Sequence, residues 1–427
     1  MEAAPGVSRV YLERVHEPRL NISKFVVQAT TVHGRGIRGA AERVGIVEAG
    51  RVGAHPNLPA ARRILCRPTA SSTVSGHKTN AAGVIQSNNA TNTGVSPNIT
   101  LVDGIGADFS DAEMMAATDC VITQNATAIN MSFGSETNGV FDAFARYVDT
   151  VSYNTGRTIV VAISNICANR MGSPEIAFNA LAVGSFSDRN TKAFGDDRHS
   201  CAPAIVPAHS AFLDPLSPNN DREEPDLVAP GHSICTTTAG GGFSCVSGTS
   251  FAAPHVTGAV GLLQDRSPVF NAQGERARAI LMASARHNIE GATRLSERDG
   301  AGALMTAAAD RVLINNQSWW FSTSGDATGF PHDQTFVANA GQKVRFVVVW
   351  AHKMPLGSTA TEPTTDLDLT VLDPSGAFVA GSVSFDNSYE IVEFTAPVTG
   401  TYTARISNFR SSPGSEFIGL AASRTNS

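Results

Sequence analysis

The chain has 427 residues, more than one hydrophobic core usually supports, so its length predicts two domains. A content of 42% hydrophobic and 16% charged residues is typical of a compact globular protein and excludes a largely disordered one. The net charge of −6 gives no reason to expect nucleic acid or an anionic membrane as a partner, and no run of about 18 apolar residues predicts a transmembrane helix.

Residues 1–40 form a polar arm with one short apolar stretch, Phe25, Val26 and Val27. This stretch predicts an edge strand or an extension that wraps around the following domain. The arm lacks a basic segment followed by an apolar one, so no signal peptide is predicted in this chain.

Residues 41–312 alternate short apolar runs with helical runs of small residues. This alternation is typical of an α/β domain built on a doubly wound parallel sheet. The first apolar run predicts a buried strand with Glu48 at its carboxyl end, where such sheets build their sites. His77 follows in a polar turn that leads into a small-residue helix.

Ser250 follows Gly248 and Thr249 at the start of another helix, whose apolar residues recur at helical spacing. We expect Pro254 in the first turn of this helix, where its missing N–H costs nothing. The N–H groups and the positive end of the helix dipole favour an oxyanion beside Ser250. Serine is also an ordinary helix cap, but a cap alone does not require Gly248. We therefore interpret Ser250 as a nucleophile, which needs a base and a group to orient the base.

The segments around Glu48, His77 and Ser250, in this order, resemble the three catalytic motifs of the subtilisin-like serine proteases, the subtilases. Further segments resemble the same family in order: 55–58, 94–98, 128–134, 159–165, 182–184, 224–231 and 300–304. Together they cover about residues 41–310. The resemblance implies a serine endopeptidase in which His77 is the base and Glu48 orients it.

One departure from the family concerns the orienting acid, which is Asp in the family and Glu48 here. No Asp occurs before Asp103, so no shifted alignment supplies one. Glutamate is one methylene longer, so it can accept the His77 ring N–H only if its side chain folds back or its strand lies farther away. The carboxylate that orients the ring is retained. The alternative is a catalytically silent pseudoprotease that still binds peptides.

A second departure is Lys78, in the sequence Lys78-Thr79-Asn80 where the family usually has Gly-Thr-His. An ammonium beside His77 would disfavour protonation of the ring unless the lysine points to solvent.

The resemblance also implies the remaining site residues. Asn165 would supply a side-chain N–H and Ser250 its backbone N–H to the oxyanion, the alternative for Asn165 being a simple loop amide. Three residues would pair with the substrate backbone as an added strand: Ser132, Phe133 and Gly134. Ser164 stands where the family usually has Gly, next to the first specificity pocket. We expect it to narrow that pocket in favour of small or medium apolar residues before the cleaved bond.

The chain contains six cysteines: Cys66, Cys120, Cys167, Cys201, Cys235 and Cys245. None shows the close paired spacing of a zinc site. Cys235 and Cys245 flank a plausible hairpin before the nucleophile, and a disulfide there would stiffen it, with buried free thiols as the alternative. The even count and the low lysine content favour an extracellular or periplasmic protein over a cytoplasmic one. The first forty residues are too short for the prodomain of secreted subtilases, so the chain is a processed form or a type without one.

After Ile314 the sequence changes to short β runs separated by turn residues, which predicts an all-β sandwich or jelly roll over residues 313–427. This part resembles the C-terminal β-domain of certain alkaline subtilases. Relatives of that domain can bind calcium, and the candidate ligands are Asp366, Asp368 and Asp386. Charges at a solvated strand end are the alternative. We expect Trp319 or Trp320 at the domain junction.

The sequence thus predicts three segments: an arm (1–40), a subtilisin-like catalytic domain (41–312) and a β-domain (313–427). The predicted activity is hydrolysis of protein or peptide substrates by a monomer, with no cofactor for catalysis and structural calcium as an option. A third hypothesis makes the β-domain the main functional part, binding polysaccharide or a partner protein.

Overall fold

The computed structural model describes residues 20–291, 294–324, 329–354, 362–411 and 414–426. Its helices are α1 (Leu20–Val26), α2 (Ala29–His33), α3 (Gly76–Gln86), α4 (Asp111–Thr123), α5 (Ala143–Thr155), α6 (Thr249–Arg266), α7 (Gly274–Ser284) and α8 (Thr306–Ile314). The strands up to the last helix are β1 (Arg43–Ala49), β2 (Arg51–Val52), β3 (Arg63–Cys66), β4 (Val74–Ser75), β5 (Thr100–Gly106), β6 (Ala128–Met131), β7 (Thr158–Ala162), β8 (Ala180–Ser187), β9 (Arg198–His199), β10 (Leu227–Pro230), β11 (Ile234–Thr237) and β12 (Phe243–Val246). The strands after it are β13 (Ser318–Ser324), β14 (His332–Ala338), β15 (Gln342–Trp350), β16 (Asp366–Leu372), β17 (Phe378–Ser382), β18 (Tyr389–Thr395), β19 (Gly400–Arg410) and β20 (Ser415–Asn426). Within these ranges, no helix has the length and hydropathy that crossing a bilayer requires.

The first part of the chain is built on a parallel sheet, in the order β10-β8-β7-β6-β1-β5-β3, with β9 antiparallel to β8. Alternate residues of β1 face opposite layers. Ile46 packs in the core that contains α3 and α6, whereas Val47 packs in the core that contains α4 and α5. This confirms the predicted doubly wound α/β fold. Glu48 pairs with Ile105 near the carboxyl ends of β1 and β5, at the predicted edge of the sheet.

Phe25 and Val26 lie in α1 and Val27 follows in a turn, so the predicted edge strand there is wrong. Phe25 is 40% exposed whereas Val26 and Val27 are both buried, a pattern that fits one face of a helix and not the alternation of a strand. The arm does wrap the domain, as expected. Ser23 Oγ lies 2.9 Å from Nε2 of the buried His255, and Lys24 Nζ donates to Thr91 O at 2.6 Å.

The C-terminal part consists of two antiparallel four-stranded sheets, β13-β20-β15-β18 and β14-β19-β16-β17. Their facing residues form one core, in which Phe336 of one sheet lies 5.3 Å from Phe346 of the other between ring centroids. The predicted all-β sandwich is therefore confirmed.

The sandwich packs against the sheet domain mainly through α7. Arg278 Nη1 donates to Ser388 Oγ at 3.0 Å, and Trp320 Nε1 donates to Glu275. Trp319 instead stacks on Phe346 inside the sandwich. One tryptophan thus lies at the junction, as expected. The domain bounds themselves stay a prediction.

All six cysteines form disulfides, which join Cys66 to Cys120, Cys167 to Cys201, and Cys235 to Cys245. The third bridges directly opposite residues of the β11–β12 hairpin. The hairpin disulfide that the sequence suggested is therefore present, and the alternative of free thiols is wrong.

Candidate active site

The Glu48 side chain contacts His77 although it is one methylene longer than the aspartate expected at this position. Glu48 Oε2 lies 2.8 Å from His77 Nδ1, and the Glu48 side chain is 2% exposed. An ionised carboxylate only accepts hydrogen bonds, so His77 Nδ1 carries the proton and Nε2 is left as the proton acceptor. The predicted acid and base therefore lie together in the orientation that general-base chemistry needs.

The second oxygen of Glu48 is held by Ser75, which sequence reasoning did not single out. Ser75 Oγ donates to Glu48 Oε1 at 2.7 Å and accepts the backbone N–H of Lys78 at 3.0 Å. Ser75 is thus the N-cap of α3, the helix that carries His77. A serine directly before a predicted helix was the available signal, but a cap does not indicate which group its proton meets.

Lys78 points neither to solvent nor to the imidazole. Its side chain is fully buried, and Nζ lies 2.7 Å from Oδ1 of the equally buried Asp103. Nζ also donates to the carbonyl oxygens of Gly104 at 2.7 Å, Gly50 at 3.0 Å and Glu48 at 3.3 Å. Burial lowers the pKa of Lys78, and the charges of Asp103 and Glu48 oppose that shift. The Lys78 ammonium thus binds backbone carbonyl oxygens at the end of β1, including that of Glu48 itself.

The pKa of His77 is raised, not lowered as the Lys78 prediction implied. Burial lowers it, but the hydrogen bond to Glu48 and then the charge of Glu48 outweigh burial and leave the pKa of His77 above its ordinary 6.5. The side chain is 41% exposed, so solvent screens part of this interaction. A base that must be neutral to act therefore becomes available only as the pH rises past this raised pKa.

Helix α6 begins at Thr249, which places Ser250 at its second position, as predicted. Pro254 is the sixth residue of the helix, so its expected place in the first turn is wrong. A proline there leaves the carbonyl of Ser250 without its usual N–H partner. Ser132 Oγ supplies a replacement, donating to Ser250 O at 2.9 Å. A hydrogen bond thus joins Ser250 to Ser132, the first residue of the predicted substrate segment.

The Ser250 hydroxyl donates to Ser132 O at 3.3 Å, and the hydrogen bonds of the described residues include none between Ser250 and His77. The His77 ring nevertheless lies beside the helix, with its centroid 5.2 Å from that of Phe251. Rotation about the Cα–Cβ bond of Ser250 redirects its hydroxyl. Hydrogen bonds between a nucleophile and its base often form fully only with substrate bound.

Asn165 is oriented for its predicted role. Its Oδ1 accepts the backbone N–H of Thr249 at 2.9 Å and lies 3.0 Å from Thr249 Oγ1. Thr249 Oγ1 in turn donates to Ile163 O at 2.5 Å. With Oδ1 occupied, the amide presents Nδ2 as a donor. The Ser250 N–H is among the N-terminal groups of α6 that have no partner within the helix.

The β11–β12 hairpin contacts α3, which carries His77, and precedes α6, which carries Ser250. Its strand β11 binds α3, where Asn80 Nδ2 donates to Thr237 O at 2.8 Å and Thr236 Oγ1 donates to Asn80 O at 2.8 Å. Strand β12 ends at Val246, four residues before Ser250. The Cys235–Cys245 disulfide therefore closes a hairpin that contacts α3 and leads into α6.

The predicted substrate segment follows β6 directly. Ser132 is buried, Phe133 is half-buried with its ring 5.9 Å from that of Phe144, and Gly134 is exposed. No substrate is present, so their role stays a prediction.

Ser164 is buried between two carboxylates, which the local sequence does not indicate. Its Oγ donates to Glu136 Oε1 at 2.7 Å, and its N–H donates to Glu175 Oε1 at 3.2 Å. Burial, together with the charge of Glu136, raises the pKa of the buried Glu175 to about 7. The surroundings of Ser164 are thus more acidic than the expected apolar pocket.

The candidate calcium ligands Asp366, Asp368 and Asp386 lie in and near the strands of the β-domain. Asp386 accepts the backbone and side-chain N–H groups of Asn219 at 2.7 and 2.9 Å, and Asp366 is buried. Over the part of the chain that the structure describes, no three His, Cys, Asp or Glu side chains are grouped to hold a metal ion. Calcium binding by the β-domain stays a prediction.

The parallel-sheet fold, with the Glu48–His77 pair at the carboxyl end of β1 and Ser250 at the start of α6, defines a subtilisin-like α/β protein. The chain belongs to the subtilase family, whose sequence profile matches residues 67–302. The profile of the bacterial pre-peptidase C-terminal domain matches residues 333–408, within the sandwich.

Curated relatives include an alkaline protease of Alkalihalobacillus alcalophilus, 28% identical over 250 residues that cover 57% of this chain and 59% of the relative. Subtilisin BL of Lederbergia lenta is 29% identical over 250 residues, which cover 57% of this chain and 83% of that protein. The matched region thus spans about six-tenths of the alkaline protease. Among solved structures, a point mutant of the protease domain of PatA superposes with a TM-score of 0.52 at 23% identity, covering 65% of this chain and 96% of that one, which supports the fold alone.

Proposed function

We propose that this protein is a serine endopeptidase that hydrolyses peptide bonds through an acyl-enzyme, with a Glu48–His77–Ser250 triad and Asn165 in the oxyanion hole. The observation that carries the proposal is the 2.8 Å contact between Glu48 Oε2 and His77 Nδ1, in which a replaced acid keeps the required partner. Family membership supports it, since the relatives above are an alkaline protease and a subtilisin.

In the acylation half, Ser250 Oγ bonds to the carbonyl carbon of the scissile peptide while His77 Nε2 takes the hydroxyl proton. The carbonyl electron pair moves to its oxygen, which accepts hydrogen bonds from Asn165 Nδ2 and the Ser250 N–H. Collapse of this intermediate breaks the C–N bond, and His77 gives its proton to the leaving amine.

In the deacylation half, water attacks the ester carbon and His77 takes one of its protons. The second tetrahedral intermediate uses the same oxyanion donors, and its collapse returns the proton to Ser250 Oγ. Glu48 keeps its negative charge throughout and offsets the imidazolium that forms in each half.

The substrate is a protein or peptide chain, bound along Ser132, Phe133 and Gly134 as an added strand. The second candidate function is a pseudoprotease that binds such chains without cleaving them. One observation favours it, namely that Ser250 Oγ hydrogen-bonds Ser132 O rather than His77.

Turnover of an unstructured protein such as casein separates the two functions. We expect new peptide termini, identified by mass spectrometry, with the intact chain and none with Ser250→Ala. Casein that binds equally to both proteins without new termini would instead establish the pseudoprotease.

A further inference from the structure

The Glu48 carboxylate stands at the end of a longer side chain than the family's aspartate, and two protein groups hold it. One oxygen meets His77 Nδ1 at 2.8 Å and the other meets Ser75 Oγ at 2.7 Å. With both oxygens bound, the plane of the carboxylate is fixed. Without the second contact, a glutamate has an extra rotatable bond through which it can turn away from the ring.

The direction of the Ser75 proton is itself determined. Ser75 Oγ already accepts the backbone N–H of Lys78 at 3.0 Å, so the one hydroxyl proton is free for Glu48. Ser75 also ends strand β4 and pairs with Val52 of β2. The donor is therefore attached to both a strand and a helix, which leaves it little freedom to move.

Lys78 and Asp103 support the same frame from below. The buried ammonium donates to the backbone oxygens of Glu48 and Gly50, the two residues on either side of Ala49 at the end of β1. Asp103 Oδ2 accepts the backbone N–H of Val52 at 2.9 Å, the residue that pairs with Ser75. The ion pair thus ties the end of β1, which bears Glu48, to β2, the strand that pairs with Ser75.

From this geometry we infer that Ser75 is a positioning residue of the triad, which aims the longer Glu48 carboxylate at His77 and is supported by the Lys78–Asp103 pair. The inference rests on the proposed proteolytic function and explains how that function accommodates glutamate. Ser75 acts through Glu48 and touches no reacting atom.

The test compares Ser75→Ala with Ser75→Thr, which keeps the hydroxyl. Ser75→Ala removes a hydrogen bond to a charged group. The free energy of such a bond corresponds to a loss of roughly 10- to 100-fold in kcat, and KM should change little. Ser75→Thr should retain most of the activity. In Ser75→Ala, His77 loses part of the contact with Glu48 that raises its pKa. The acid limb of the pH profile of kcat should therefore move to lower pH in this variant.

A double-mutant cycle separates positioning from the loss of a helix cap, which Ser75→Ala also causes. In a Glu48→Ala background there is no carboxylate to aim, so Ser75→Ala should then change kcat less than about 2-fold. Equal losses in both backgrounds, or an unmoved acid limb, would overturn the inference. Melting temperatures of all four proteins confirm that each is folded.

The outcomes also distinguish this inference from the proposed function. If the unmodified chain hydrolyses nothing, the proposed function fails. If the unmodified chain is active and Ser75→Ala is equally active, only the positioning role of Ser75 fails.

Discussion

The two halves of the active site are prepared to different degrees. In the acid–base half, Glu48 binds His77 and Ser75 at 2.7–2.8 Å. In the nucleophile half, the Ser250 hydroxyl points to a backbone carbonyl at 3.3 Å while Asn165 is already oriented by Thr249. Both oxygens of the changed acid are therefore held by protein groups, whereas the Ser250 hydroxyl would have to turn from Ser132 O before the proposed first chemical step.

The largest expected effect tests the nucleophile half. Ser250→Ala removes the attacking oxygen and should lower kcat by about 10⁶-fold. The matched control is Ser247→Ala, three residues earlier, whose Oγ accepts the backbone N–H of Ser233 and lies outside the proposed machinery. Steady-state hydrolysis of a fluorogenic peptide measures both. Substantial activity left in Ser250→Ala would show that another residue is the nucleophile.

The next effect tests the acid–base half. Glu48→Gln keeps the size of the side chain but can present an amide N–H to the ring, which favours the wrong tautomer of His77, and should lower kcat by about 10⁴-fold. The same fluorogenic assay measures it. A loss below tenfold would mean that Glu48 does not orient the base.

The pH dependence of the same half has a defined sign. The active form needs neutral His77, whose pKa is raised by Glu48 against the lowering effect of burial. Activity should therefore increase with pH through a limb above 6.5, the ordinary value. In Glu48→Gln the lowering effect of burial remains, so the residual activity should have its limb at lower pH. Profiles of kcat/KM measure both, and a limb that stays in place would contradict this assignment.

A smaller effect tests the oxyanion donor. Asn165→Ala should lower kcat by about 10²- to 10³-fold with little change in KM, because the donor acts on charge that develops in the transition state. Asn169→Ala in the same loop, whose amide binds Glu136, is the control and should leave kcat nearly unchanged. A rise in KM alone would instead assign Asn165 to ground-state binding.

The smallest expected effect on activity comes from removing the disulfide of the β11–β12 hairpin. The loop-entropy account gives about 2–3 kcal/mol of stability for Cys235–Cys245 and about 4 kcal/mol for the longer Cys66–Cys120 loop. Removing Cys235–Cys245 should nevertheless be the change that lowers kcat by a few-fold, because its hairpin contacts α3 and leads into the helix of Ser250, whereas Cys66–Cys120 joins β3 to α4. Each of two double variants replaces both cysteines of one of these disulfides by serine. Equal kcat in the two variants, measured well below their melting temperatures, would show that the hairpin needs no disulfide.

The parts of the site that the sequence predicts are those encoded in short segments. Glu48, His77, Asn165 and Ser250 each stand in a local pattern whose strand or helix fixes their position, and the parallel sheet follows from alternating runs. The partners of these residues come from contacts distant in the chain. The burial of Lys78 depends on Asp103, which lies 25 positions later in the chain. The hydrogen bond between Ser132 and Ser250 joins residues that are 118 positions apart. Local patterns also misplaced Phe25–Val27, because three apolar residues fit a strand or a helix face equally.

The most direct test of the central claim is covalent labelling of the purified intact chain by a fluorophosphonate, followed by peptide mapping. The probe reports whether the Glu48–His77 pair activates Ser250, independently of substrate preference. We predict a single modification at Ser250 that is absent in Ser250→Ala and strongly slowed in Glu48→Gln. A folded chain that remains unlabelled, or labelling that proceeds equally fast in Glu48→Gln, would contradict a working triad built on glutamate.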